Sequence, residues 1–92
     1  GKPIYVTENG IATNDDSQRI AFIDQALTSL WGCLAEGIPV HGYMHWSLLD
    51  NFEWTAGFGK HFGLVAVDLK TFQRTPKPSA YHIGRIAQSN RI

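Results

Sequence analysis

One apolar stripe constrains this chain more than any other feature. Ile20, Ile23, Leu27, Leu30, Trp31 and Leu34 recur at three- and four-residue intervals, the spacing of one face of an α-helix. Asp15 and Gln18 stand at capping-box spacing just ahead of it. Gly37 sits where a helix end takes a left-handed residue, and Pro39 follows. The pattern predicts a helix of about five turns.

Two short runs flank that helix. Ile4-Tyr5-Val6-Thr7 is apolar and β-branched, and it stops at Glu8-Asn9-Gly10, where Asn-Gly signals a turn. We read a buried strand ending at Glu8, then a polar loop from Ile11 to Asp16. Val40 to Trp46 reads as a second strand. Strand, long helix, strand is a βαβ unit, so the two strands should be parallel. Ser47 to His61 is too aromatic for a mere connection. Leu64 to Val67 is a third strand candidate, Lys70 to Pro78 is turn-rich, and Ser79 to Ser89 can form a last helix with Tyr81, Ile83 and Ile86 inward.

A parallel sheet needs both faces covered. Ninety-two residues with so few elements cannot cover both. Either this is a small α/β domain with raw sheet edges, or it is part of a larger barrel or sheet.

Composition removes other classes. A 43% hydrophobic, 12% aromatic chain is not a disordered one. Eight Lys+Arg balance eight Asp+Glu, so there is no basic stripe and no nucleic-acid partner is expected. No apolar run approaches the roughly 18 residues of a membrane span, so no membrane partner is expected. No leader opens the chain, and a single Cys33 fits a reducing compartment, which together suggest a cytoplasmic setting.

Two regions carry chemistry. Glu8 is a carboxylate at the C-terminal end of a parallel strand, where barrel enzymes place catalytic groups. Position alone does not separate that role from a solvated or ion-paired one. The second region is Trp46-Ser47-Leu48-Leu49-Asp50-Asn51-Phe52-Glu53-Trp54. Sugar rings have apolar faces that Trp covers and hydroxyls that carboxylates and amides bind. Trp46, Leu48, Leu49 and Phe52 can also be plain core, but that does not account for Asp50, Asn51 and Glu53 among them.

Val6-Thr7-Glu8-Asn9-Gly10 resembles the nucleophile motif of glycoside hydrolase family 1, the β-glucosidase family. Gly42 to Trp54 resembles that family's last-strand signature. Phe62-Gly63-Leu64-Val65-Ala66-Val67-Asp68, Arg74 and Lys77-Pro78-Ser79-Ala80 are similar to the tail that follows it. The likeness covers nearly the whole chain, in the family's order.

The resemblance implies an α/β fold: the C-terminal portion of a (β/α)₈ barrel, its last two βα units, and not a complete barrel. Residues 1–92 would then be one fragment of a single catalytic domain. It implies Glu8 as nucleophile of a retaining β-glucosidase, Trp46 as the floor of the sugar subsite, and Glu53 on the sugar's 4- and 6-hydroxyls. Trp54 would touch the same edge, and Phe62 would line the pocket. It implies no metal and no organic cofactor. In the family's 6-phospho-sugar branch the Glu53 position is typically not Glu, because an anionic sugar would be repelled. Glu53 therefore points to a neutral β-glucoside or oligosaccharide.

Two departures follow. The Ile11 to Asp16 loop is shorter than in many members. The family's Asn-Glu-Pro acid/base motif, its sugar-binding Gln and its His-Asn pair are absent from these residues. Retaining hydrolysis needs two carboxyl groups about 5–5.5 Å apart. Asp50 sits in an apolar run and reads as a structural hydrogen-bonding group, and Glu53 is implied at the far edge of the sugar. The isolated chain is therefore expected to be inactive and to need a partner: the N-terminal part of the barrel, or another copy through its strand edges. A catalytically silent sugar-binding module built on Trp46, Trp54 and Phe58 is the second reading, and an assembly piece is the third.

Overall fold

The computed structural model describes residues 1–92. In chain order the elements are β1 (Ile4–Asn9), α1 (Asp16–Ala35), β2 (Val40–His45), β3 (Val65–Val67), β4 (Arg74–Pro76) and α2 (Pro78–Ser89), with one 3₁₀ turn at Trp54–Ala56. β1 and β2 pair in parallel around α1, as the βαβ pattern predicts. β3 and β4 form a separate antiparallel pair.

Local chemistry explains both ends of α1. Asp15 is the N-cap, and its carboxylate accepts from the Ser17 amide at 3.0 Å. Gln18 does not complete a capping box; its amide oxygen accepts instead from the Thr13 hydroxyl. At the other end Gly37 has φ of 84°. Its amide donates to Leu34 and the Ile38 amide donates to Cys33, each at 3.0 Å. Those two bonds make a Schellman motif, in which a residue without Cβ takes the left-handed position at no steric cost.

The chain is a slab of 47 × 29 × 18 Å. Its radius of gyration is 14.5 Å, against about 12 Å for a compact domain of this length. Only Ile23 and Leu64 among the hydrophobic residues are buried. Tyr5 and Met44 on the β1–β2 pair are exposed, and so are Trp31 and Leu34 at the far end of α1. The apolar stripe is therefore covered at one end only. Trp31, Leu34, Val40 and Ile86 instead line an open apolar cleft of about 390 Å³ between α1, β2 and α2.

The turn-rich stretch from Lys70 to Pro78 also holds a short strand, Arg74–Pro76, which pairs with Val65–Val67. One expectation about the last helix is corrected. Tyr81 does not point inward and is 60% exposed. Ser79, His82, Ile83 and Ile86 follow the three- and four-residue spacing of one helix face, and Tyr81 falls on another. The ends of that face explain its orientation. The Ser79 amide and hydroxyl each donate to Asp16 at 2.7 Å, and His82 meets Asp24 at 2.6 Å. The contacts advance along both helices together, so α1 and α2 run in the same sense.

Arg19 is the most unexpected core residue, 1% exposed. It donates to Asp16 at 2.8 Å, to the Thr13 carbonyl at 2.9 Å and to the His61 carbonyl at 2.6 Å. One guanidinium thus ties the β1–α1 loop, α1 and the segment before β3. Asp16 bridges it to the start of α2, whose first amides need an acceptor. Burial raises the Asp16 pKa, but hydrogen bonds from Ser79 and Arg19 outweigh it and hold the carboxyl below its ordinary value. No helix is long and apolar enough to cross a membrane.

Candidate active site

Both strands of the parallel pair end at the same edge, and the segments leaving them meet there. The Trp46 amide donates to the Asn9 carbonyl at 2.9 Å. Gly10 passes so close that a Cβ on it would overlap the Trp46 carbonyl oxygen. The glycine after Asn9 is thus required by this close backbone approach, and no turn forms at Asn9-Gly10. The Trp46–Ser47 peptide is cis. Beyond it, Ser47 to Asp50 runs beside residues 62–65, with Ser47 donating to Phe62 and Leu64 donating back to Ser47.

The edge holds an open cleft of about 420 Å³ lined by Glu8, Asn9, Gly10, Trp46, Glu53 and Phe62. Glu8 is exposed there. The Trp46 indole N–H donates to a Glu53 oxygen at 3.1 Å, which holds one carboxylate beside the ring. Four of the five residues singled out in the sequence therefore line one cavity. The fifth, Trp54, does not line it; it starts the 3₁₀ turn and is 84% exposed. Chemically the cleft offers two carboxylates, an indole and a phenyl ring. That set suits a ligand with apolar faces and polar edges.

Asp50 is engaged elsewhere. One of its oxygens accepts from the Gly63 amide at 2.7 Å and from Lys77 at 3.0 Å, and the other faces His61 at 3.4 Å. A Cβ on Gly63 would overlap the Leu49–Asp50 backbone, so this crossing too needs glycine. Asp50 fastens the start of β3 to the loop after β2, in keeping with its reading as a structural group.

Sequence reasoning missed two features beside the cleft. Asn9 lines it, and the Asn9 side chain accepts from the Tyr43 hydroxyl at 2.9 Å. His45 is buried at both ring nitrogens without a hydrogen-bond partner. Burial, with the Arg19 charge adding to it, lowers its pKa. Strand alternation from Trp46 could have placed His45 on the opposite face, but nothing in the sequence announces the Tyr43–Asn9 bond.

Known proteins share both the sequence and this shape. The chain is 45% identical over 92 residues to the β-galactosidase of Sulfolobus acidocaldarius, covering all of this chain and 19% of that protein. It is 40% identical over 99 residues to the 6-phospho-β-galactosidase of Staphylococcus epidermidis, covering 97% of this chain and 21% of that one. Among solved structures, β-glucosidase 1317 superposes with a TM-score of 0.96 at 63% identity, over 99% of this chain and 23% of its own. The Thermotoga maritima β-glucosidase in complex with deoxynojirimycin gives 0.95 at 38% identity, over 98% and 22%. The chain thus spans about a fifth of the length of the relatives it matches. The sequence model of glycosyl hydrolase family 1 matches residues 1–92, and the chain belongs to that family.

Proposed function

We propose that residues 1–92 are the last two βα units of a (β/α)₈ barrel, and that the edge cleft is part of the active site of a retaining β-glucosidase. The observation that carries this is the meeting of Glu8, Trp46, Glu53 and Phe62 around one cavity. Residues drawn from two strand ends and two loops form a site only where the sheet edge gathers them, as barrel enzymes do.

Glu8 is the nucleophile. Its carboxylate oxygen attacks the anomeric carbon, and the bond from that carbon to the leaving oxygen breaks. A second carboxyl group gives the leaving oxygen its proton, then takes one from water as water displaces Glu8. The family resemblance places Glu53 at the sugar's far edge, away from the leaving oxygen, and Asp50 is engaged by Gly63 and Lys77, so neither is that second group. It belongs to another part of the barrel, which is the partner this chain requires. Trp46 and Phe62 cover the sugar's faces, and Glu53 binds its hydroxyl edge. Trp54, beside Glu53 in sequence, is assigned to the same edge by the family resemblance alone.

The substrate is a neutral β-glucoside or a short oligosaccharide. A carboxylate at the sugar's outer edge opposes a 6-phosphate there. The S. epidermidis relative is named for phosphorylated sugars, so an assay with paired glucoside and 6-phosphoglucoside discriminates directly. The decisive test is trapping. The assembled barrel is incubated with a 2-deoxy-2-fluoro-β-glucoside bearing an activated leaving group, and digested. The peptide containing Glu8 should gain the mass of one fluoroglucosyl group. A label on any other residue overturns the assignment.

A further inference from the structure

The parallel pair is irregular at the point where it carries Glu8. Val6 pairs with Tyr43, and Asn9 pairs with His45. Three steps along β1 therefore match two along β2, and the extra residue falls at Thr7–Glu8. A bulge of this kind re-aims a side chain. In a strand a one-residue slip sends every side chain to the opposite face, so the register at the bulge decides what Glu8 faces. Here a slip would exchange Glu8 and Asn9.

Two bonds bracket the bulge. The Trp46 amide holds the Asn9 carbonyl at 2.9 Å, and the Tyr43 hydroxyl donates to the Asn9 side-chain oxygen at 2.9 Å. Only the second reads which residue occupies the position, because any residue has a backbone carbonyl. Tyr43 and Asn9 also line a recess of about 210 Å³ with Ala26, Leu30 and Cys33 of α1. Asn9 thus borders both this recess and the edge cleft, with its amide oxygen held by Tyr43, and Glu8, its neighbour, lines the cleft. The phenol is half-buried, and burial pushes its pKa up, so it remains a donor throughout the neutral range.

We propose that Tyr43 is a positioning residue for the hydrolytic reaction: through its hydrogen bond to Asn9 it fixes the register of the bulged strand end and so aims Glu8 at the anomeric carbon. The inference rests on the reading of Glu8 as nucleophile. Tyr43 touches no reacting atom. Its effect falls on the step in which the Glu8 oxygen must approach carbon in line, where a displacement of about 1 Å costs on the order of 100-fold.

The test uses the assembled enzyme, this chain with the rest of its barrel, in wild-type, Tyr43→Phe, Asn9→Ala and doubly substituted forms. Active sites are counted by fluoroglucoside titration, so that loss of folded protein is removed from the rate. Tyr43→Phe should slow glycosyl-enzyme formation per titrated site roughly 10- to 100-fold with KM little changed. The double variant should be no slower than the slower single, because both remove one bond. An unchanged rate per titrated site in Tyr43→Phe, with Glu8 still labelled, overturns the positioning role and leaves the nucleophile standing. Additive losses in the double variant overturn the route through Asn9. A wild-type enzyme labelled elsewhere than Glu8 overturns both.

Discussion

Asp16 and Glu8 stand eight residues apart on either side of one short loop, and their surroundings are opposite. Asp16 accepts from the Ser79 amide, the Ser79 hydroxyl and Arg19, all within the chain and mostly shielded from water. Glu8 is exposed in an open cleft beside an indole and a second carboxylate. Both clusters are built around a carboxylate. One spends its charges on fixing two helices and a loop to each other. The other leaves its charge facing space that a ligand can fill. A carboxylate with its partners in place reads as structure, and one held in the open by a rigid edge reads as chemistry.

The sharpest way to break that contrast is to remove the charge from each cluster. Glu8→Gln in the assembled enzyme replaces the nucleophile with a neutral amide. Turnover of an aryl β-glucoside should fall by several orders of magnitude, on the scale of other lost nucleophiles, with the melting midpoint unmoved. Retained turnover would place Glu8 with the solvated carboxylates. Arg19→Leu should do the reverse. It leaves Asp16 and two carbonyls short of a buried donor, and breaking such a pair costs about 3–5 kcal/mol. Denaturant unfolding measures that loss, and turnover per titrated site should stay near wild type. A stable Arg19→Leu enzyme with slow chemistry would merge the two clusters into one.

Glu53 tests the cleft more gently. Glu53→Ala should lower kcat/KM for glucosides and galactosides by about 1–3 kcal/mol, the scale of a lost charged hydrogen bond. It also frees the Trp46 indole from its partner, so part of the loss should be recovered in Glu53→Gln, which keeps an acceptor. Equal specificity constants for wild type and Glu53→Ala on both sugars would remove Glu53 from the site.

The contrast also separates what the sequence makes legible from what it hides. β1, α1 and β2 were readable because their periods are local: β-branched runs, a three-and-four stripe, an Asp cap and a Gly37 stop. Glu8, Trp46, Glu53 and Phe62 were readable as a group through motif likeness, and they line one cleft. Arg19 was not readable, since a charged residue on a helix resembles any solvated one until the His61 carbonyl meets it from 42 residues away. Arg74-Thr75-Pro76 lacks strand alternation, and its pairing with Val65–Val67 comes from the turn between them. Trp31 and Leu34 fit the stripe but stay exposed, because a periodic face says which side is apolar and not whether anything covers it.

The smallest expected effect concerns acid, and it should separate the clusters by pH window. His45, on the strand that ends beside the cleft, is buried with no partner for either nitrogen. Burial, aided by the Arg19 charge, lowers its pKa from the ordinary 6.5. The unfolded chain therefore protonates His45 before the folded one does. Stability is full above about 6.5 and declines as pH falls through the lower, folded value, because the unfolded state binds more protons there. Asp16 behaves alike in a lower window. Its carboxyl is held below the ordinary 3.8: burial opposes this, but Ser79 and Arg19 outweigh it. Its contribution is full above 3.8 and is lost as pH falls through the folded value. Asp15, lowered by its bonds from Ser17, adds to that same window from the surface. Unfolding of the assembled enzyme, followed from pH 7 to 3, should thus show two successive declines. His45→Gln should flatten the first and leave the second. Asp16→Asn should cost stability at pH 7 and reduce the second without abolishing it, since Asp15 remains. If His45→Gln leaves the slope just below pH 6.5 unchanged, His45 is paired in the folded enzyme, and its ring nitrogens are not the buried orphans they are in this structure.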